Sequence, residues 1–204
     1  MPKPLHRLKP KPRKATDRFT HSTGDAGIDL ASFWSWVGSD LVVNTTRGLL
    51  AEYLVAHALG DPDPVRDPWR PFDVRTPGGT TVEVKSASLH QSWAQQRVTD
   101  ISFSIGQSRA WDPETGLWDT ERKRQAELYV FCVLKHENRD SLDPMDLTQW
   151  RFYVLPTKAL NTAGVTRKSI GMQRLLKLGP AESSWERLAM TVNEVSQSLK
   201  AADG

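Results

Sequence analysis

Apolar residues recur along the chain in two periods. They stand three or four apart in some stretches and two apart in others. The clearest helical pattern is Asn44–Gly60, where Leu49, Glu52, Tyr53, Ala56 and Leu59 recur at helical spacing. Asn44, Thr45 or Thr46 supplies an N-cap there, and Gly60 a C-terminal stop. β-Branched residues crowd Phe72–Thr76 and Thr80–Ser86, with Pro77-Gly78-Gly79 between them. The proline pre-sets φ and a glycine accepts positive φ, so the stretch reads as a hairpin with a tight turn. Further strands are expected at Ile101–Ile105, Glu127–Leu134 and Trp150–Leu155. The second of these is almost continuously apolar, as a central buried strand requires. A short helix follows Pro156, and a terminal helix is expected over Pro180–Lys200. Ala26–Gly38, with Phe33, Trp34 and Trp36, reads as a short amphipathic helix or an irregular apolar segment, its tryptophans packed inward, with stacking on bases as their alternative use. This order of elements predicts an α/β fold, a central mixed β-sheet flanked by helices.

The hairpin carries the candidate chemistry. If Thr76 faces Thr80 across the turn, Asp73 stands opposite Glu83, and Glu83 and Lys85 share one strand face. Two carboxylates and an ammonium then meet on an otherwise apolar hairpin. Hard oxygen donors of this kind suit a magnesium ion, which takes one or two carboxylates and fills its shell with water and substrate phosphate. Glu52 lies within a helix stripe that otherwise reads as buried, where a carboxylate is costly unless paired or bound to a cation. The competing reading is a Glu-x-Lys surface ion pair and a Glu52 paired with Arg47 or a partner elsewhere. Ser86, Ser88 and Gln91 follow the strand and are placed to orient water or a phosphate oxygen; a capped turn is their bland alternative.

The pattern resembles the PD-(D/E)XK, or restriction-endonuclease-like, nuclease superfamily. There an Asp begins the second core strand, a Glu-x-Lys ends the third, and a Glu often sits on the preceding helix. Asp73, Glu83-Val84-Lys85 and Glu52 match these elements over Arg47 to about Gln91, although Phe72 stands where the signature proline often sits. The resemblance implies a restriction-endonuclease-like core and a Mg2+-dependent endonuclease acting on DNA, with Mn2+ as a substitute. It implies Asp73, Glu83 and Glu52 as metal ligands, and Lys85 as the group that orients or deprotonates the attacking water. Many members act as homodimers. The rival reading is a catalytically silent nucleic-acid-binding or partner-binding module on the same fold.

Length and charge refine this picture. The 204 residues suffice for one domain with a tail, so residues 1–24 are expected to be a basic, disordered leader and 25–204 a single nuclease-like domain. Seven basic side chains against Asp17 alone crowd residues 1–18, and the rest of the chain is slightly acidic. Lys3, Arg7, Lys9, Lys11, Arg13 and Lys14 in the leader, with Arg109, Arg122, Lys123 and Arg124 further on, are the candidate contacts to nucleic-acid phosphates; a solvated leader and solvated surface charge are the competing readings. Asp61–Pro71 reads as a rigid acidic connection, since its prolines forbid helix and central strand. Cys132 is the single cysteine, which excludes an internal disulfide and a cysteine-based zinc site and suits a reducing, cytoplasmic setting. No apolar run is long enough for a membrane span. There is no Walker-type phosphate loop, GxGxxG, His-Glu-x-x-His or serine-centred nucleophile elbow.

Overall fold

The computed structural model describes residues 5–163 and 168–203. Strands β1 (Arg18–His21) and β2 (Gly24–Asp29) pair antiparallel and lead into helix α1 (Leu30–Gly38). Asp29 caps that helix, accepting from the Ser32 amide at 2.9 Å. The leader expected through residue 24 therefore ends earlier, because backbone pairing takes up residues 18–21 and 24. Helix α1 buries none of its residues, and Trp36 is 84% exposed. The inward packing expected of its tryptophans is overturned: among the described residues, none of the helix belongs to either buried core.

Helix α2 (Asn44–Leu59) begins after Val43 without a side-chain cap, so none of the three expected caps forms. Its other end is as read: Gly60 adopts φ 67°, and its amide reaches back to the last turn. The buried stripe consists of Arg47, Ala51, Leu54, Val55 and Leu59. Leu49 and Tyr53 are exposed instead, so the helix is rotated from the expected stripe and Glu52 lies at its rim.

Strands β3 (Val74–Arg75) and β4 (Thr81–Ser88) form the hairpin, with Val74 opposite Val82 and Arg75 opposite Thr81. The Thr76 amide donates to the Thr80 carbonyl at 3.0 Å, which is the expected register. β3 is shorter than Phe72–Thr76, however, and this shortening shapes the site. β5 (Ser102–Ser104) is likewise trimmed from Ile101–Ile105. After it comes a small antiparallel pair, β6 (Trp111–Asp112) and β7 (Leu117–Trp118), closed by Trp111 against Trp118 at 5.0 Å between ring centroids.

β8 (Leu128–Leu134) is buried along its whole length. It is followed by β9 (Trp150–Pro156), α3 (Thr157–Thr162), β10 (Ser169–Gly171), α4 (Met172–Lys177), β11 (Ala181–Ser183) and α5 (Leu188–Asp203). The terminal helix thus starts later than Pro180, because β11 first pairs with β9. The principal sheet has the order β11-β9-β8-β4-β3, and only β4 and β8 run parallel. Alternation along β8 builds two cores. Leu128, Val130, Cys132 and Leu134 pack with α2 and α5, whereas Tyr129, Phe131 and Val133 pack with Phe103, Leu160, Ile170 and Leu175. The fold is mixed α/β, a central mixed sheet flanked by helices. Among the described residues no helix is long and apolar enough to cross a membrane.

Cys132 is wholly buried in the first core, and burial pushes its thiol well above the ordinary range. Iodoacetamide should leave the native protein unmodified and alkylate Cys132 only in denaturant, as mass spectrometry would show. Labelling of native protein at the rate of a free thiol would contradict the packing of β8.

Candidate active site

The candidate site forms where β3 runs out. Arg70, in the acidic loop, pairs with Asp63 at 2.5 Å and Asp61 at 3.4 Å, and donates to the Asp73 carbonyl at 2.8 Å. Asp61 also accepts from the Arg75 amide at 3.0 Å. The loop thus fixes the backbone on both sides of Val74. Beyond the end of β3, the edge of β4 is open, and the Asp73 carboxylate takes the Val84 amide there at 2.8 Å. Burial first, then the charges of Glu83 and Glu52, push the Asp73 carboxyl up to about 7.

Val82 and Val84 point into the core beneath α2, so alternation sends Glu83 and Lys85 to the other face of β4. There the Lys85 ammonium donates to Glu83 at 2.5 Å, both side chains remaining partly open to solvent. Glu52 does not pair with Arg47. Arg66 clamps it with two nitrogens of one guanidinium edge, Nε donating to Oε2 and Nη2 to Oε1 at 3.0 Å.

Three clefts meet along these residues. One of about 330 Å³ exposes Asp73 and Glu83 between Trp69, Trp111, Trp118 and Arg109. A second of about 540 Å³ lies beyond Lys85 and is lined by Arg47, Glu52, Ser86, Ser88 and Gln91. A third of about 250 Å³ joins Glu52 to Asp73 beneath Arg66 and Arg70. The four expected residues therefore share one region without meeting at one point. Among the described residues, no three His, Cys, Asp or Glu side chains converge as a ready metal cluster. The chemistry of the Asp73 and Glu83 donors nevertheless fits a hard cation that needs few protein ligands, since a cation would relieve the repulsion that keeps a proton on Asp73.

The secondary candidates gather beside this region. Ser86 accepts from Arg47 at 3.2 Å, Ser88 accepts from the His90 amide at 3.2 Å, and Gln91 donates to the Ser88 carbonyl at 3.1 Å. The expected basic residues are scattered. Lys3 lies outside the described residues, and Lys11 and Lys14 are exposed. Arg7 is committed to Asp67 at 2.7 Å, Lys9 lies 3.9 Å from Glu114, and Arg13 lies 3.8 Å from Asp17. Arg122 donates to the Gln107 carbonyl and Lys123 pairs with Glu121. Arg124 is not an open rim cation: it is buried, donating to the Ile105 carbonyl at 3.0 Å and Asn161 at 2.6 Å. Arg109 alone of that later group combines exposure with a place in the first cleft.

Arg66 and the tryptophan-lined wall were not singled out in the sequence as site features. No local pattern marks Arg66, because its partner lies fourteen residues back. Arg47 did carry a signal. It precedes Ala51, Leu54 and Val55 at helical spacing, which marks a cation on the buried face.

A carboxylate at a strand edge, a Glu-x-Lys beside it and clefts holding arginines fit the nuclease class. A family model described as bacteriophage T4 endonuclease IV matches residues 29–168. That is more than half of the chain, and the protein belongs to this endonuclease family. A search of curated proteins finds no match.

Proposed function

We propose that the protein is a magnesium-dependent DNA endonuclease of the PD-(D/E)XK type, built on a restriction-endonuclease-like core. One observation carries the reading most: Asp73 sits on the open edge of β4, its proton held to about 7, beside the Glu83–Lys85 pair. The endonuclease family supports the substrate, and the sequence order of helix, hairpin and parallel strand supports the superfamily.

In this reading Asp73 and Glu83 would hold Mg2+, or Mn2+ in its place, with help from the Val84 carbonyl. The ion when bound supplies Lewis-acid stabilisation of the phosphate charge and a nucleophile at neutral pH. Lys85 orients or deprotonates the attacking water and meets the developing negative charge. Arg70 and Asp61 keep Asp73 in place. Glu52, behind Asp73, adds negative charge that favours cation binding.

The test is cleavage of plasmid and single-stranded DNA with Mg2+, Mn2+ or EDTA. Cutting is expected with either metal and none with EDTA. DNA bound equally well with and without metal, and never cut, would instead identify a silent binding module.

A further inference from the structure

Arg47 is a buried guanidinium with no carboxylate against it. It is 4% exposed, and its partners are neutral: the Val42 carbonyl at 2.7 Å, Asn44 at 2.7 Å, Ser86 at 3.2 Å and Gln91 at 3.5 Å. Among the described residues it makes no ion pair, whereas Arg66 and Arg70 each hold a carboxylate. A buried charge left without a counter-ion is expensive, and burial accordingly lowers the Arg47 pKa. Four acceptors account for its many donors, but not for a positive charge left without a counter-ion.

Its surroundings supply a reason. Asn44, Arg47, Ser86 and Gln91 all line the cleft of about 540 Å³, and Lys85 opens into the same space from the next residue on β4. The cleft thus has one cation at the reacting end and a second, rigidly held, in its wall. Between them stand the Ser86 and Ser88 hydroxyls, and the cleft's two carboxylates are answered by other cations, Glu52 by Arg66 and Asp100 by Arg97 at 3.7 Å. A flexible surface lysine would lose more side-chain entropy on binding than a guanidinium already fixed by four partners.

We propose that this cleft is a phosphate subsite for a backbone phosphodiester adjoining the one that is cut, with Arg47 as its principal cation and Ser86 and Gln91 as its walls. The proposal rests on the nuclease reading and assigns the path of the strand: along the tryptophan-lined cleft, past Asp73, Glu83 and Lys85, and on to Arg47.

The experiment measures binding of a fluorescein-labelled oligonucleotide, single-stranded and duplex, over a range of salt concentrations, with Ca2+ in place of Mg2+ to suppress cutting. Arg47→Gln should weaken binding roughly ten- to hundredfold. It should also make the salt dependence shallower by about 0.7 for a single strand, or about 0.9 for a duplex, as loss of one phosphate contact requires. Gln91→Glu gives Arg47 the counter-ion it lacks while keeping the size of the side chain, so it should produce the same weakening and the same change of slope. A structural Arg47 predicts the opposite for Gln91→Glu, a new ion pair and unchanged DNA binding, so that result overturns the subsite even if Arg47→Gln fails to fold. Weaker binding by Arg47→Gln with an unchanged slope also overturns it. If the wild type cuts DNA with Mg2+ and either contrary result appears, only the subsite falls. If the wild type neither binds nor cuts, the nuclease reading falls and takes the subsite with it.

Discussion

Asp73→Asn is expected to reduce DNA cleavage on the order of 10³-fold or more while leaving the protein more stable at pH 8 than the wild type. The two effects share one cause. Burial and the charges of Glu83 and Glu52 raise the Asp73 carboxyl from its ordinary 3.8 to about 7. Between those values the folded protein holds a proton that the unfolded chain releases, so stability is greatest at acid pH and falls as pH rises toward 7. The loss amounts to roughly 4 kcal/mol at most by the usual conversion of a pKa difference. Asparagine keeps the oxygen that accepts from the Val84 amide and removes the charge that is repelled. Thermal melts in EDTA from pH 4 to 8 should therefore slope downward for the wild type and lie nearly flat for Asp73→Asn. Mg2+ binding must displace the same proton, so its affinity for the wild type should rise with pH and level off above about 7. A wild-type melting curve indifferent to pH would show that Asp73 is not under this repulsion. A variant that still cuts at the normal rate would remove Asp73 from the site.

The legible part of this molecule was the part decided by neighbours in sequence. Pro77-Gly78-Gly79 and the flanking β-branched residues fix the hairpin and its register, so the placing of Asp73 across from Glu83 could be read directly. The apolar run before Leu134 similarly announced the central strand. What could not be read depends on contacts distant in sequence. Glu52 was expected on the buried stripe of α2, but the actual stripe runs through Arg47, Ala51 and Leu54, and Glu52 is settled by Arg66 from the acidic loop. Helix α1 shows the limit from the other side. Its aromatic residues imply burial, yet Phe33, Trp34 and Trp36 stay exposed among the described residues, and composition alone does not say whether a covering surface exists within the chain. The shortening of β3 matters most for the chemistry. Periodicity predicted a strand through Phe72, whereas Arg70 pulls the Asp73 carbonyl away and turns its carboxylate onto the edge of β4.

Lys85→Ala is expected to lower the cleavage rate on the order of 10²- to 10⁴-fold, the range in which a positioned acid, base or charge acts. Metal affinity should move the other way. Lys85 is the partner of Glu83 at 2.5 Å, and its removal leaves Glu83 beside Asp73 without the ammonium that offsets both charges. Titration calorimetry with Mn2+ should accordingly show tighter binding by Lys85→Ala, even as cutting fails at saturating metal. That divergence separates a role in the reaction from a role in building the site, since a merely structural lysine would weaken both together. Lys85→Arg then divides the two duties proposed for the residue. A guanidinium keeps the positive charge near the phosphate but does not deprotonate at working pH. Substantial recovery by Arg would mean that Lys85 acts by charge and orientation. No recovery, with Mn2+ binding returned to the wild-type level, would mean that Lys85 first gives its ammonium proton to solvent and then, as a neutral amine, takes the proton of the attacking water. Loss of Mn2+ binding in Lys85→Ala would contradict both, because it would require the ammonium to assemble the carboxylates instead of competing for them.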